Sequence, residues 1–143
     1  MNEAGAKCLL ESFFFEKLVE DLRINQFKSP WTKEQEVDGW ARHLKNEALE
    51  VTYACSPDKG PIKESPSALA DTAEELGDVF CNFINCADAL AAAGGPSLST
   101  IFENAAKKMR ARKPWIYGND VPMPKTATEE YDMYQVMKRK EKK

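Results

Sequence analysis

The chain has 143 residues, 43% of them hydrophobic and 30% charged, with a net charge of −3. That length suits one domain with a single core, and the composition is that of a soluble globular protein. No apolar run approaches the ~20 residues of a membrane span, so membrane-spanning functions are set aside.

The first predicted element is a helix from about Ala4 to about Asn25, with Leu10, Phe14, Leu18 and Leu22 on one stripe. Glu3, Glu11 and Glu16 surround its apolar patch and no basic n-region precedes it, so it does not read as a signal peptide. The segment QFKSPW breaks this helix. Thr32 followed by Gln35 has the form of a capping box, which predicts a second helix starting near Lys33. Its apolar face carries Val37, Trp40, Leu44, Ala48, Val51 and Cys55, and it stops at Ser56-Pro57. SPDKGPIKESP, with three prolines and one glycine, reads as a connecting loop.

Ser65-Pro66 reads as an N-cap followed by proline at the first helical position. The third helix then runs to about Ala93, with Leu69, Ala73, Leu76, Phe80, Phe83, Ala87 and Leu90 as its apolar face, and Gly94-Gly95-Pro96 ends it. A fourth helix is expected from about Ser97 to Arg112, ending at Pro114, and a last one from about Thr128 after GNDVPMPKT. Helices joined by short loops predict an all-α fold: an antiparallel four-helix-type bundle with an extra C-terminal helix. The expected division is a domain over residues 1–118, with an N-terminal helix 4–25 and a core 29–118, and a tail over 119–143.

The four cysteines, Cys8, Cys55, Cys81 and Cys86, form no CxxC pair, and three of them fall on apolar helix faces. They read as small hydrophobes in a reduced, cytoplasmic compartment. Charge is unevenly spread. Glu34 to Asp78 is rich in acids, whereas Lys107 to Lys113 carries five basic residues in seven. An acidic centre and a basic segment suit a site for metal cations and an anionic ligand; two solvated helix faces are the ordinary alternative.

Two helices carry acids at matched spacing. Glu47 and Glu50 are i, i+3 on the second, and Glu75 and Asp78 are i, i+3 on the third, with Glu74 one turn before Asp78. If these helices pack antiparallel, four carboxylates converge between them. Such crowding is costly unless a cation fills it, and Mg²⁺ takes a few carboxylates together with substrate phosphates. Gly77 costs ~1 kcal/mol relative to alanine inside a helix, and room for a close neighbour or ligand would account for it. The plainer alternative is surface acids paired with Lys45, Lys63 or other basic residues.

SPWTKEQ, NEALEV, EELGDV and KKMRARKPWIYG, in that order, resemble the MazG-type nucleoside triphosphate pyrophosphohydrolases, an all-α family. The resemblance covers about Ser29 to Gly118 and implies Mg²⁺-dependent cleavage of an NTP or dNTP between the α- and β-phosphates, with Mn²⁺ as a substitute. It assigns Glu47, Glu50, Glu75 and Asp78 to the metal, and leaves the water's proton to Glu74 or to one of those four. Lys108 and Arg112, helped by Lys107, would neutralise phosphate oxygens. The chain departs from the family pattern in reading SPWT for CPWD and KPWIYG for HPHVFG, and in Asn82, where relatives often have glutamine. The family also implies a homodimer or homotetramer, for which Phe13 and Phe15 on the first helix offer exposed aromatics.

Smaller features stay open at this point. Asn82 reads either as a contact to base or sugar or as an interhelical one, and Trp31 as a base stack or a hydrophobic staple. His43, the only histidine, reads as a surface or packing residue. The basic tail from Lys138 to Lys143 has no groove-reading motif, so no nucleic-acid partner is expected. A di-iron bundle needs ExxH pairs on two helices, which one histidine does not supply. A catalytically idle scaffold or a nucleotide-binding regulatory protein is the remaining alternative to the enzyme.

Overall fold

The computed structural model describes residues 3–56, 58 and 60–142. Parts of the predicted 56–66 loop and the last tail residue, at positions 57, 59 and 143, lie outside the described residues. Among the described residues there are seven α-helices and no strand: α1 (Glu3–Lys28), α2 (Pro30–Lys33), α3 (Val37–Ala54), α4 (Pro66–Ala92), α5 (Leu98–Arg112), α6 (Pro114–Tyr117) and α7 (Ala127–Lys140). No helix is long and apolar enough to cross a membrane. The all-α expectation holds. The chain divides into two compact units, Met1–Leu98 and Ser99–Lys143.

In the first unit, α1 runs three residues beyond Asn25 and ends within the predicted QFKSPW break, at Ser29, because proline follows. The residue before a proline is driven out of the helical region, and Ser29 is extended at φ −77°, ψ 120°. Its hydroxyl then accepts from the Thr32 amide at 3.3 Å and starts the one-turn α2. The capping box expected of Thr32 and Gln35 does not form. Thr32 is buried, its hydroxyl accepts from the Asn25 side-chain amide at 3.3 Å, and α3 begins at Val37 instead of near Lys33.

The signals around α4 act as read. The Ser65 hydroxyl accepts from the Ala68 amide at 3.3 Å, with Pro66 in the first turn. At the other end Gly94 adopts φ 92°; its amide bonds Ala91 O at 3.0 Å and that of Gly95 bonds Leu90 O at 2.9 Å. This doubly bonded stop needs a left-handed residue, which glycine supplies without strain.

Packing centres on α3 against α4, with α1 also laid on α4 and α2 on α1. The α3–α4 pair is antiparallel: the Cys86 thiol near the end of α4 donates to Val37 O at the start of α3, 3.7 Å away. Ile84 is fully buried, joined in the core by Val19, Trp40, Ala54, Ala68, Ala87 and Leu98. A polar clasp fixes α1. Arg23 donates to both carboxylate oxygens of Asp88 at 3.1 Å, and Gln26 donates to buried Asn85 at 2.8 Å.

Several predicted faces are corrected. On α1, Leu10 and Phe14 are exposed, and the covered stripe is Phe15, Leu18, Val19 and Leu22. Phe15 is therefore not a free aromatic: its ring meets Phe80 edge-on at 5.7 Å, while Phe13 and Phe14 are each 59% exposed. On α4, Leu69, Ala73 and Leu76 face outward, and Ala68, Thr72, Glu75 and Val79 turn inward. Ala48 on α3 and Cys55 just after it are exposed, so Cys55 is not a core hydrophobe, whereas burial pushes the Cys81 and Cys86 thiols up.

In the second unit α5, α6 and α7 are tied by side chains. Glu130 on α7 accepts from Lys113 at 2.9 Å and from the indole of buried Trp115 at 3.3 Å through one oxygen. Thr126 caps α7 by accepting from the Glu129 amide at 3.1 Å, which confirms the late helix read from the sequence.

Candidate metal centre

The covered stripe of α3 runs through Trp40, Leu44, Glu47, Val51 and Ala54, and that of α4 through Ala68, Thr72, Glu75 and Val79. Glu47 and Glu75 thus stand where packing side chains would be expected, and both are half-buried. Asp78, three residues after Glu75, is exposed beside them. One carboxylate oxygen from each of Glu47, Glu75 and Asp78 lies within 4.8 Å of the other two. The i, i+3 spacing on α4 and the antiparallel register with α3 produce this meeting.

The cluster is electrostatically stressed. Burial holds the Glu75 carboxyl above the ordinary carboxylate range, and the charges of Glu50, Asp78, Glu47 and Glu74 push it the same way. The other four acids given a role from the sequence therefore all act on Glu75. Glu50 is exposed and outside the three-acid set, though its charge is the largest influence on Glu75 after burial. Among the described residues no basic side chain is ion-paired to Glu47, Glu50, Glu75 or Asp78, and Lys45 and Lys63 take no part. Among the described residues, the surface pairing with Lys45, Lys63 or another basic side chain is not formed.

Three anionic oxygens, without thiol or imidazole among them, make a donor set suited to a hard divalent cation. Gly77 adds no crowding: a Cβ there would meet nothing within 4 Å, so no neighbour in the chain explains the glycine.

Around the cluster, His43 lies one turn before Glu47 and packs edge-on against Trp31 at 5.4 Å and tilted against Trp40 at 5.8 Å. It has the packing role expected. Trp31 meets Trp40 edge-on at 5.6 Å and is 53% exposed. Asn82 donates to the Asp78 backbone carbonyl at 3.0 Å, within its own helix.

In the second unit, Lys108 is exposed and Lys107 is ion-paired to Glu103 on the preceding turn. Arg112 is engaged by Glu141 and by the Tyr134 hydroxyl. Neither of those partners was singled out from the sequence, although Glu141 is the lone acid of KRKEKK. The α1–α4 clasp was missed too; its signal is a pair of complementary i, i+3 sets, Arg23 with Gln26 and Asn85 with Asp88.

No curated protein matches the chain. Among solved structures, a mazG-related protein from Thermotoga maritima is similar with a TM-score of 0.68 at 22% identity, covering 87% of this chain and 98% of that one. At that identity the likeness concerns the fold. The family model for the MazG nucleotide pyrophosphohydrolase domain matches residues 35–117, more than half of the sequence and all of the acidic cluster. The chain belongs to the MazG nucleotide pyrophosphohydrolase family.

Proposed function

We propose that the protein hydrolyses a nucleoside triphosphate, ribo or deoxy, between its α- and β-phosphates, giving a nucleoside monophosphate and pyrophosphate. The observation that carries this is the meeting of Glu47, Glu75 and Asp78 within 4.8 Å, with no ion-paired basic side chain among the described residues. Like charge at that range is relieved by a divalent cation, and such a cation also takes phosphate oxygens as ligands.

Glu47, Glu75 and Asp78 would hold Mg²⁺, with Mn²⁺ as a substitute, and Glu50 would complete the set by a change of rotamer. The cation, when bound, supplies Lewis-acid polarisation of phosphate oxygens and a more acidic water. Glu74, or Glu50 while it stays outside the ligand set, would accept the proton of the attacking water. Lys108 and Arg112, with Lys107 as a helper, neutralise phosphate oxygens; their assignment rests on the KKMRARKPWIYG motif. The exposed ring of Trp31 and the side chain of Asn82 are the groups offered to base and sugar.

The same reading includes a homodimer or homotetramer and a nucleotide-pool housekeeping role in the cytoplasm. Its support is apolar surface left uncovered in the first unit: Leu9, Leu10, Phe13 and Phe14 on α1, and Leu69 and Leu76 on α4, are each at least 48% exposed. Light scattering on the purified chain gives the mass of the assembly directly.

The functional test is a panel of ribo- and deoxynucleoside triphosphates with Mg²⁺, scored for pyrophosphate. Pyrophosphate and monophosphate in equal amounts are expected. Binding without turnover across the panel would favour the regulatory binder, and orthophosphate release would place the cleavage at another bond.

A further inference from the structure

The last turn of α7 contains Lys138, Arg139 and Lys140, and Glu141 caps it. A carboxylate there meets the negative end of the helix dipole, so its own helix disfavours it. It is held by α5 instead. Arg112 Nε lies 3.0 Å from both Glu141 carboxylate oxygens, and Nη2 donates to Oε2 at 2.8 Å. Nη1 donates to the Tyr134 hydroxyl at 3.0 Å, and the guanidinium stands 5.7 Å from that ring's centroid. The Arg112 side chain is only 15% exposed. The positive charges of Lys108 and Lys138 act on Glu141 as well.

A guanidinium fork that grips a carboxylate with two donors grips a phosphate in the same way. Here the fork is held from its far edge by Tyr134, lies near two ammonium groups and is filled by a side chain from the end of a helix. We propose that Glu141 is an internal stand-in for phosphate: it occupies an oxyanion seat built by Arg112, Lys108 and Tyr134, and an incoming di- or triphosphate displaces it. The last turn of α7 is thus an autoinhibitory latch on anion binding. This deepens the functional proposal and rests on its assignment of Arg112 and Lys108 to phosphate.

A latch that must open first lowers apparent affinity by the fraction of open seats. For a partly exposed ion pair, that is about three- to tenfold. The test is calorimetric titration of inorganic pyrophosphate into the full chain, as wild type, Glu141→Gln and Asp132→Asn. The last removes the same charge from α7 at a residue other than the one Arg112 grips. Glu141→Gln is expected to bind about three- to tenfold more tightly, with Asp132→Asn unchanged. Equal or weaker binding by Glu141→Gln, no binding by any of the three, or an equal gain in Asp132→Asn overturns the latch. In wild type, the Arg112 Nε–H and Glu141 carboxylate NMR signals should both shift on saturation with pyrophosphate; a static Glu141 signal overturns it independently of any variant. Nucleotide turnover is scored separately. Turnover with unchanged pyrophosphate affinity removes the latch alone, and tighter binding without turnover removes the hydrolase reading alone.

Discussion

Glu75 is the carboxyl group on which burial and four neighbouring charges converge, so its replacement by glutamine separates what the cluster costs from what it binds. Glu75→Gln keeps the shape and removes one charge. Metal-free, the variant should melt above wild type, because the repulsion pressing on Glu75 is relieved. With Mg²⁺ the order should reverse. At a hundredfold excess over Kd, a ligand that binds only the folded state contributes about 2.7 kcal/mol. For 143 residues at about 2.1 cal/mol/K each, the unfolding entropy is about 0.3 kcal/mol/K, which converts that gain to a rise of about 9 °C in Tm. Differential scanning fluorimetry of both proteins, in EDTA and across a Mg²⁺ series, reads both effects. Wild type should climb and saturate, and Glu75→Gln should stay flat from a higher start. Equal climbs would mean that the ion sits elsewhere, and a lower metal-free Tm for the variant would mean that Glu75 is stabilised rather than stressed.

The same group fixes a pH dependence. A carboxyl whose folded-state pKa is raised binds more protons folded than unfolded, so metal-free stability should fall as pH rises from the ordinary carboxylate range through Glu75's raised value. Subtracting the Glu75→Gln curve isolates this from Glu130 and Glu141, whose lowered pKa values act with the opposite sign at lower pH; a flat difference across the window would count against it. Gly77→Ala, where a Cβ meets nothing within 4 Å, should raise stability by about 1 kcal/mol in chemical denaturation, and a loss would reveal an occupant of that space. Lys108→Ala should raise KM for the triphosphate with little change in Tm, and an unchanged KM would argue against a phosphate contact.

The legible parts of this chain are those set by local chemistry. Ser65-Pro66 and Gly94-Gly95 fix both ends of α4 because a cap and a left-handed stop need only their own neighbours. The Glu75–Asp78 pair was legible for the same reason, since i, i+3 spacing places both on one face whatever lies opposite, whereas of Glu47 and Glu50 only Glu47 joins them. Where two local signals competed, tertiary packing decided. Ser29 ahead of Pro30 claimed the capping position, and the Thr32 hydroxyl went to Asn25. On α4 two adjacent stripes were available, and the less apolar one, Ala68, Thr72, Glu75 and Val79, turned inward. Hydrophobicity favours Leu69 and Leu76 for burial, but these stay at the surface, where the proposed second copy would cover them. The tie of Arg112 to Glu141 spans 29 positions and two helices, with no periodic signature to announce it.

The central claim is that side chains from α3 and α4 share one divalent ion. Crystals of the wild-type protein grown with Mn²⁺ and measured at the manganese absorption edge test it most directly. An anomalous peak within coordinating distance of Glu47, Glu75 and Asp78 is predicted, and it should vanish in Asp78→Asn. A peak held by other residues, or none at saturating Mn²⁺, would contradict it.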